Sequence, residues 1–382
     1  MRILTPEQKG IQLAAREFVA KHIIPYADQY DRSGEFHPYL LEAAKESKYF
    51  AMGLPKEYGG LGYDSLTQAL VMEEWSYGCA AMGTTLGASM LSTDSLLVAG
   101  TDEQKRHYFK PLVEGGLGAF GLTEPGAGSD AGSCKTVAVK AGNEYILNGS
   151  KCFITNGGHA EVFVIFAVTD PAAGMKGMSA FIVDRGTPGF TVGNVEHKLG
   201  IRSSNTVELL LKDVHVPAAN LLGKEGQGML IAMKTLDMAR PPVACCSVGI
   251  AQRALDECVK HVQRTYTGKT LPGQALQFKL ADMQIQIDAA REYAYQTMEL
   301  RDSGLPYSKE SAIAKTFCGD MTMAVTSMAV SLMGSYGYER LGKYMRDSKI
   351  MQIYEGTNQI QRLVISRAVL TPAQAVAQKA GK

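Results

Sequence analysis

Long apolar runs and an excess of charge of either sign are both missing from this sequence. No stretch approaches the roughly 18 apolar residues that span a bilayer, and 39 Lys and Arg against 38 Asp and Glu leave a formal net charge of +1. The sequence therefore predicts no membrane span and no attraction to nucleic acid or an anionic membrane surface. The N-terminus also lacks the pattern of an export signal, so we expect a cytoplasmic location, or the mitochondrial matrix for a form whose transit peptide has been removed.

Cysteine and histidine are sparse and scattered. The seven cysteines form no C-x-x-C pair, and the seven histidines show no metal-ligand spacing. This pattern favours reduced thiols and predicts neither a disulfide framework nor a metal site. Residues 126–131 match G-x-G-x-x-A, but a strand-like segment follows them where a dinucleotide fold needs a helix.

The apolar residues that are present suffice for more than one core. The chain has 382 residues, of which 46% are hydrophobic and 20% charged, which suggests a globular protein of two or three domains. We expect a mainly α-helical fold in three parts: an N-terminal helical domain (residues 1–117), a middle β-domain (residues 118–225) and a C-terminal helical bundle (residues 226–382).

Local patterns support this division. Thr5 and Gln8 form a capping-box pattern at the start of a helical period, whereas the small and hydroxyl residues of segment 78–100 give a weaker helical signal. The middle part alternates short β-branched runs with glycine and asparagine turns, which predicts an antiparallel sandwich or barrel. Long helices with short links predict an antiparallel bundle after it, with a kink or break at Pro241 and Pro242.

One carboxylate stands in apolar company near the C-terminus. Glu355 directly follows Ile353 and Tyr354, and burial among such side chains would raise its pKa toward that of a base working near neutral pH. Gly356 suits the left-handed end of a helix, and Thr357 suits the cap of the next one. Glu355 would then lie at a break between two helices. From spacing alone, a surface glutamate in the last turn of a helix remains the simpler alternative.

Several segments, in this order, resemble the acyl-CoA dehydrogenase family over nearly the whole chain. Residues 121–130 (GLTEPGAGSD) resemble its first signature, and residues 153–158 (FITNGG) resemble its flavin-facing strand. Residues 237–240 (DMAR) resemble its D-x-x-R element, and residues 345–358 resemble the C-terminal signature that carries the catalytic glutamate. The resemblance implies a helical N-terminal domain, an antiparallel β-domain and a C-terminal four-helix bundle. It also implies FAD as cofactor and a homo-oligomer, usually a tetramer.

The resemblance also implies roles for individual residues. Glu355 would be the catalytic base. Contacts with FAD are implied for Leu122, Thr123, Ser129, Phe153, Ile154, Thr155, Arg264, Thr357 and Gln359. Contacts with the acyl-CoA substrate are implied for Ser129, Asp237, Arg240 and Gly356, and the segment around Asp94 resembles the one that passes beside the acyl tail.

The implied reaction is an α,β-dehydrogenation of an acyl-CoA to the 2-enoyl-CoA. Glu355 would remove the α-proton, flavin N5 would receive the β-hydrogen as hydride, and an electron-transferring flavoprotein would reoxidise the flavin. We expect a short, branched or cyclic acyl group. An acyl-CoA oxidase, which passes electrons to oxygen, is one alternative, and a flavin-binding or scaffold protein without turnover is another. The retained Glu355 argues against the second.

An acid at position 94 is unusual for a pocket that takes a straight aliphatic chain, because a buried charge is costly. Asp94 could cap the helix that runs to Val98, or it could point to solvent. In the acyl pocket it could instead bond a polar substrate, or serve as an additional base beyond the β-carbon of a cyclic acyl-CoA.

The chain departs from the family pattern at two places. Ser331 and Ser335 stand where Gln-x-x-Gly-Gly is common, and Tyr266 and Thr267 follow Arg264 where phenylalanine and glycine are usual. Both places resemble the contact with the FAD of a neighbouring subunit, so this contact is where we expect the chain to differ from its relatives.

Overall fold

The computed structural model of the protein describes residues 2–265 and 273–371, and its first part is helical. Thr5 opens the first helix through the predicted capping box, because its side chain accepts from the Gln8 N–H while the Gln8 side chain bonds back to Thr5 N–H. The helices of this part are α1 (Pro6–His22), α2 (Ala27–Ser33), α3 (Tyr39–Ser47), α4 (Ser65–Gly78), α5 (Ala80–Ala99) and α6 (Asp102–Val113).

Helix α5 is the segment with the weak helical signal, and it is a continuous helix of 20 residues. It contacts α4, the long helix Gly228–Thr265 and the first strand, and most of its residues are buried, hydroxyl-bearing ones included. A helix enclosed on most sides shows no contrast between a polar and an apolar face. This explains why the helical period is faint in the sequence.

The middle part is one eight-stranded sheet, which confirms the β-character of this part. Its strands are β1 (Leu117–Gly121), β2 (Val137–Ala141), β3 (Glu144–Thr155), β4 (Ala160–Val168), β5 (Met178–Asp184), β6 (Phe190–Val195), β7 (Thr206–Pro217) and β8 (Leu221–Leu222). Along the sheet they lie in the order β6-β7-β3-β2-β4-β5-β8, with β1 paired to β4. The expectation of a wholly antiparallel sheet is wrong, because β1 runs parallel to β4 and a single parallel pair joins β2 to β4. Residue alternation reports which face is buried and carries no information on strand direction.

The last part is helical again, as predicted. Its helices are α7 (Gly228–Thr265), α8 (Gln274–Asp302), α9 (Ser308–Tyr336), α10 (Gly342–Ser348) and α11 (Asn358–Leu370). Helix α7 contacts α4, α5, α8 and α9 and so joins this part to the first one. In the part of the chain that the structure describes, no helix has the length and apolarity to cross a membrane. The domain boundaries at residues 117 and 225 stay predictions.

Of the kink or break expected at Pro241 and Pro242, a break is absent, because α7 continues through both residues. Each proline lacks the N–H that would bond the carbonyl four residues earlier. Side chains of neighbouring helices occupy those carbonyls instead: Ser311 Oγ donates to Asp237 O over 2.8 Å, and an Arg301 N–H donates to Met238 O over 3.4 Å. Tertiary hydrogen bonds therefore replace the ones that the helix loses.

Candidate active site

Glu355 lies at a turn between two helical segments, as its local sequence predicts. A 3-10 turn, Lys349–Gln352, precedes it, and Thr357 caps α11 by accepting from the Ile360 N–H. Glu355 has a φ of 56° and Gly356 a φ of 87°, so both lie in the left-handed region. This conformation is unfavourable for a glutamate and persists only where the surroundings hold it.

Two side chains hold the carbonyl groups of this turn. Gln361 Nε2 donates to the carbonyls of Glu355 (3.1 Å) and Gly356 (3.0 Å). Lys315 Nζ, from α9, donates to the same Gly356 carbonyl over 2.8 Å and to Asn358 Oδ1 over 2.9 Å. Lys315 and Gln361 are both fully buried. The backbone around Glu355 is therefore fixed from two helices.

We expect Gly356→Ala to lower the free energy of unfolding by about 1–2 kcal/mol. A Cβ at this position would lie 2.5 Å from Gln361 Nε2, and the left-handed φ is itself unfavourable for alanine. Urea unfolding measures the change. Gly342→Ala is the matched control, because Gly342 has a helical φ of −56° and no atom within 4 Å of the added Cβ. Equal stability of both variants would show that the Gly356 turn is not constrained.

The Glu355 carboxyl group is poised to take a proton. Burial raises the pKa of Glu355 to about 7, the positive charges of Lys315 and Arg240 lower it, and the negative charge of Asp94 raises it. Oε2 is buried and has no hydrogen-bond partner among the described residues. A carboxylate with a free oxygen and a pKa near neutrality is suited to general-base chemistry.

Asp94 neither caps a helix nor faces solvent, so both of the simpler expectations for it are wrong. It lies inside α5 and is 2% exposed. Its Oδ1 pairs with Arg301 over 2.6 Å, and its Oδ2 is buried with no hydrogen-bond partner among the described residues. Burial raises the pKa of Asp94 to about 6, although Arg301 opposes this. A second buried carboxyl group thus lies near enough for its negative charge to raise the pKa of Glu355.

The two charged residues of the D-x-x-R element also lie here. Asp237 and Arg240 form an ion pair one helical turn apart on α7. Arg240 is almost fully buried, its Nε has no hydrogen-bond partner among the described residues, and its charge lowers the pKa of Glu355. The structure therefore brings Asp94, Arg240 and Glu355 together from three different elements.

The sheet presents an aromatic residue on a bulge. The register of β3 shifts between Lys151 and Ile154, and Phe153 between them has a φ of 56° and is 63% exposed. Ile154 is buried and Thr155 half-buried. A bulge that turns a side chain outward is common beside functional sites. Phe153 is thus held outward on the surface of the sheet.

A buried ion pair ties this bulge to the loop after β1. Lys151 Nζ donates to Glu124 Oε1 over 2.7 Å and to the Leu122 carbonyl over 3.3 Å, and the Cys152 N–H donates to the Thr123 carbonyl. Burial opposes the charge of Glu124, but hydrogen bonds and the charge of Lys151 lower its pKa to about 2. The loop and the strand are therefore fixed as one unit.

We expect Lys151→Met to destabilise the protein by about 3–5 kcal/mol, because it leaves the Glu124 carboxylate buried without its counter-charge. The double variant Lys151→Met with Glu124→Gln should recover part of the loss. Denaturant unfolding of both proteins measures the difference. Lys279→Met serves as the control, since the Lys279–Asp282 pair is 52% exposed on both sides and 3.9 Å long. A loss for Lys151→Met as small as that of the control would contradict the expectation.

Three of the residues singled out in the sequence have exposed side chains. Ser129, Arg264 and Gln359 are exposed, and no described hydrogen bond or ion pair links them to the turn. Ser331 and Ser335 are two of the departures from the family pattern. Ser331 Oγ donates a hydrogen bond to the Ser327 carbonyl within α9. Gly334, the residue before Ser335, has a left-handed φ of 55°. Tyr266 and Thr267 lie outside the described residues.

Sequence reasoning missed Lys315, Gln361, Lys151 and Glu124. A usable signal existed for Lys315, which stands on α9 among the small or buried residues Ala312, Ala314, Cys318 and Gly319. A lysine on such a face is costly to bury and calls for a partner. Glu124 and Lys151 stand far apart in the chain, so no local pattern links them.

Comparison with known proteins matches the chain to three family models in order. These are the acyl-CoA dehydrogenase N-terminal domain (residues 5–116), middle domain (residues 119–214) and C-terminal domain (residues 226–370). The chain is 45% identical to a short-chain specific acyl-CoA dehydrogenase of Clostridium acetobutylicum, over 95% of this chain and 98% of that protein.

Solved structures agree with these matches. Butyryl-CoA dehydrogenase from Megasphaera elsdenii superposes with a TM-score of 0.94 at 43% identity, over 97% of this chain and all of that one. A chain from work on the electron-transferring flavoprotein of Acidaminococcus fermentans and flavin-based electron bifurcation also gives a TM-score of 0.94, at 44% identity over 97% of this chain and all of that one. The protein therefore belongs to the acyl-CoA dehydrogenase family, whose members are FAD flavoproteins.

Proposed function

We propose that the protein converts an acyl-CoA thioester to the 2-enoyl-CoA and that Glu355 is the base that takes the α-proton. The observation that carries this proposal is the Glu355 carboxyl group, with a buried, unpartnered Oε2 and a pKa raised to about 7 by burial. Such a group accepts a proton near neutral pH without competing hydrogen bonds. Bound FAD would accept the β-hydrogen as a hydride and so supply the redox chemistry.

The backbone of the same turn is suited to bind the thioester oxygen. Among the described residues, no backbone carbonyl accepts from the Glu355 N–H. An N–H group held in a fixed turn stabilises negative charge that develops on a carbonyl oxygen. Lys315 and Gln361 fix this turn before substrate arrives, so the donor needs no rearrangement during the reaction.

The residues around these groups fit the two remaining ligands. The outward Phe153 and the loop fixed by the Lys151–Glu124 pair fit the flat ring system of FAD. The residues that would hold FAD are Leu122, Thr123, Ser129, Phe153, Ile154, Thr155, Arg264, Thr357 and Gln359. The residues that would contact acyl-CoA are Ser129, Asp237, Arg240, Gly356 and Asp94.

We further propose a short acyl chain, an electron-transferring flavoprotein as electron acceptor and a homo-oligomer, with a tetramer as the expected form. The short-chain and butyryl-CoA relatives support the first of these. The similar chain from the Acidaminococcus flavoprotein study supports the second. In the oligomer, Arg264 at the exposed end of α7 would reach the FAD of a neighbouring subunit.

Anaerobic titration of the purified holoenzyme tests the proposal. Straight-chain, branched and cyclic acyl-CoAs are added in turn, and bleaching of the flavin absorbance identifies those that are oxidised. Reoxidation by an electron-transferring flavoprotein and slow reaction with oxygen are expected, whereas rapid reoxidation by oxygen would identify an oxidase. A yellow protein that none of these thioesters bleaches would contradict the proposal.

A dehydrogenase of a cyclic acyl-CoA is the second candidate, because Asp94 offers an additional base. Its Oδ2 is buried without a partner and its pKa is raised to about 6, so it too accepts a proton near neutral pH. A ring with a double bond already next to the thioester must lose its proton beyond the β-carbon. Asp94, on a different element from Glu355, is suited to remove it.

A further inference from the structure

Lys315 is a buried lysine without an ion-pair partner among the described residues. Its residue is 0% exposed, and its ammonium group donates to the Gly356 carbonyl and the Asn358 amide oxygen. Neither acceptor carries a charge, and a buried cation paired only with neutral groups is costly. Methionine would fill the same volume at less cost. Burial of the Lys315 charge therefore costs free energy of folding, and stability alone does not explain a lysine at this position.

The position of Lys315 relative to Glu355 supplies a reason. Its ammonium group bonds the carbonyl of Gly356, the residue directly after Glu355, and Glu355 itself has a left-handed backbone. The nearby carboxylate on the same helix, Asp320, bonds Asn358 over 2.8 Å and pairs with Arg362. Asp320 thus orients the amide that Lys315 bonds, and the negative charges of both Glu355 and Asp320 raise the pKa of Lys315.

We propose that Lys315 is a positioning residue for the reaction: it clamps the Glu355–Gly356 turn, and its positive charge keeps Glu355 ionised until the substrate proton arrives. The proposal rests on the proposed function of Glu355 as the base. It gives Lys315 two separable roles, one as a hydrogen-bond donor and one as a charge.

The charged groups around Glu355 determine whether removal of the Lys315 charge raises or lowers the pKa of Glu355. Lys315 from α9 and Arg240 from α7 favour the carboxylate, Asp94 from α5 opposes it, and burial raises the pKa of Glu355 to about 7. Burial also lowers the pKa of Lys315 to about 7, the charge of Glu355 raises it, that of Arg240 lowers it and that of Asp320 raises it. The charge of Lys315 therefore favours the ionised form of Glu355, and the charge of Glu355 favours the ionised form of Lys315. Removing the lysine charge raises the pKa of Glu355, so the base is ionised only at higher pH.

Two variants separate the roles. Lys315→Gln keeps a donor for the Gly356 carbonyl and removes the charge, whereas Lys315→Met removes both. We expect both variants to shift the pH profile of anaerobic flavin reduction upward by about one unit or more. Only Lys315→Met should also lower the maximal rate reached at high pH, because its turn is no longer clamped. Lys309→Met is the control, since Lys309 is exposed in the first turn of α9.

A readout independent of turnover is the infrared carbonyl band of protonated Glu355, assigned by its loss in Glu355→Gln. In both Lys315 variants this band should persist to higher pH than in the wild type. A folded Lys315→Gln protein with the pH profile and band of the wild type would overturn the proposal. If Glu355→Gln itself keeps near-normal turnover, the assignment of the base fails instead, so the two failures are distinguishable.

Discussion

The Glu355→Gln substitution is expected to slow flavin reduction by acyl-CoA by about 10²–10⁴-fold, the contribution typical of a general base. Glutamine keeps the size of the side chain and its place at the turn, but its amide cannot accept the α-proton. Because burial raises the pKa of Glu355 to about 7, the wild-type rate should rise as the pH increases through that value. Stopped-flow spectroscopy under anaerobic conditions measures both effects.

Binding must be separated from chemistry in this experiment. The Glu355→Gln holoenzyme should retain its FAD and still show the spectral perturbation caused by bound acyl-CoA. Glu339→Gln is the matched control, because Glu339 is exposed in the turn Gly337–Leu341 and should leave the rate unchanged. Near-normal flavin reduction by Glu355→Gln would show that another group is the base, and Asp94 would be the next to test.

The Asp94→Asn substitution is expected to lower activity selectively. On a cyclohexene-type thioester, whose proton lies beyond the β-carbon, the loss should again be about 10²–10⁴-fold if Asp94 acts as base. With a straight-chain acyl-CoA, for which Glu355 is the proposed base, the activity should change by much less. The asparagine oxygen still accepts the hydrogen bond from Arg301 that Asp94 Oδ1 accepts over 2.6 Å, so the local structure should persist.

A pH measurement adds an independent check on Asp94. The charge of Asp94 raises the pKa of Glu355, so Asp94→Asn should shift the rate profile on straight-chain substrates toward lower pH. Asp282→Asn, on the exposed face of α8, is the control and should shift nothing. If wild type and Asp94→Asn have equal activity on ring and straight-chain substrates, Asp94 is only the structural partner of Arg301.

The sequence alone was sufficient to predict those features of the structure that depend on neighbouring residues. The break at Glu355 and the cap at Thr357 depend on residues within a few positions, and both are present as expected. The family resemblance supplied the three-part fold and FAD. Local patterns could not show that β1 runs parallel to β4, or that Asp94 is enclosed, because both depend on contacts between distant segments. The residues around Lys315 signal a buried lysine, but its acceptor Gly356 lies 41 residues further along the chain and could not be identified from local patterns.

The two prolines of α7 have a consequence for how the helices are aligned with one another. An ordinary helix bonds its interior carbonyls to its own N–H groups, but Asp237 O and Met238 O accept hydrogen bonds from Ser311 of α9 and Arg301 of α8. These bonds fix the register of α7 against α9 and α8. Arg301 also donates a hydrogen bond to Asp94, which links α5 to the same arrangement of helices. Two absent amide hydrogens thus contribute to the placement of Asp94 on α5 relative to α7, α8 and α9.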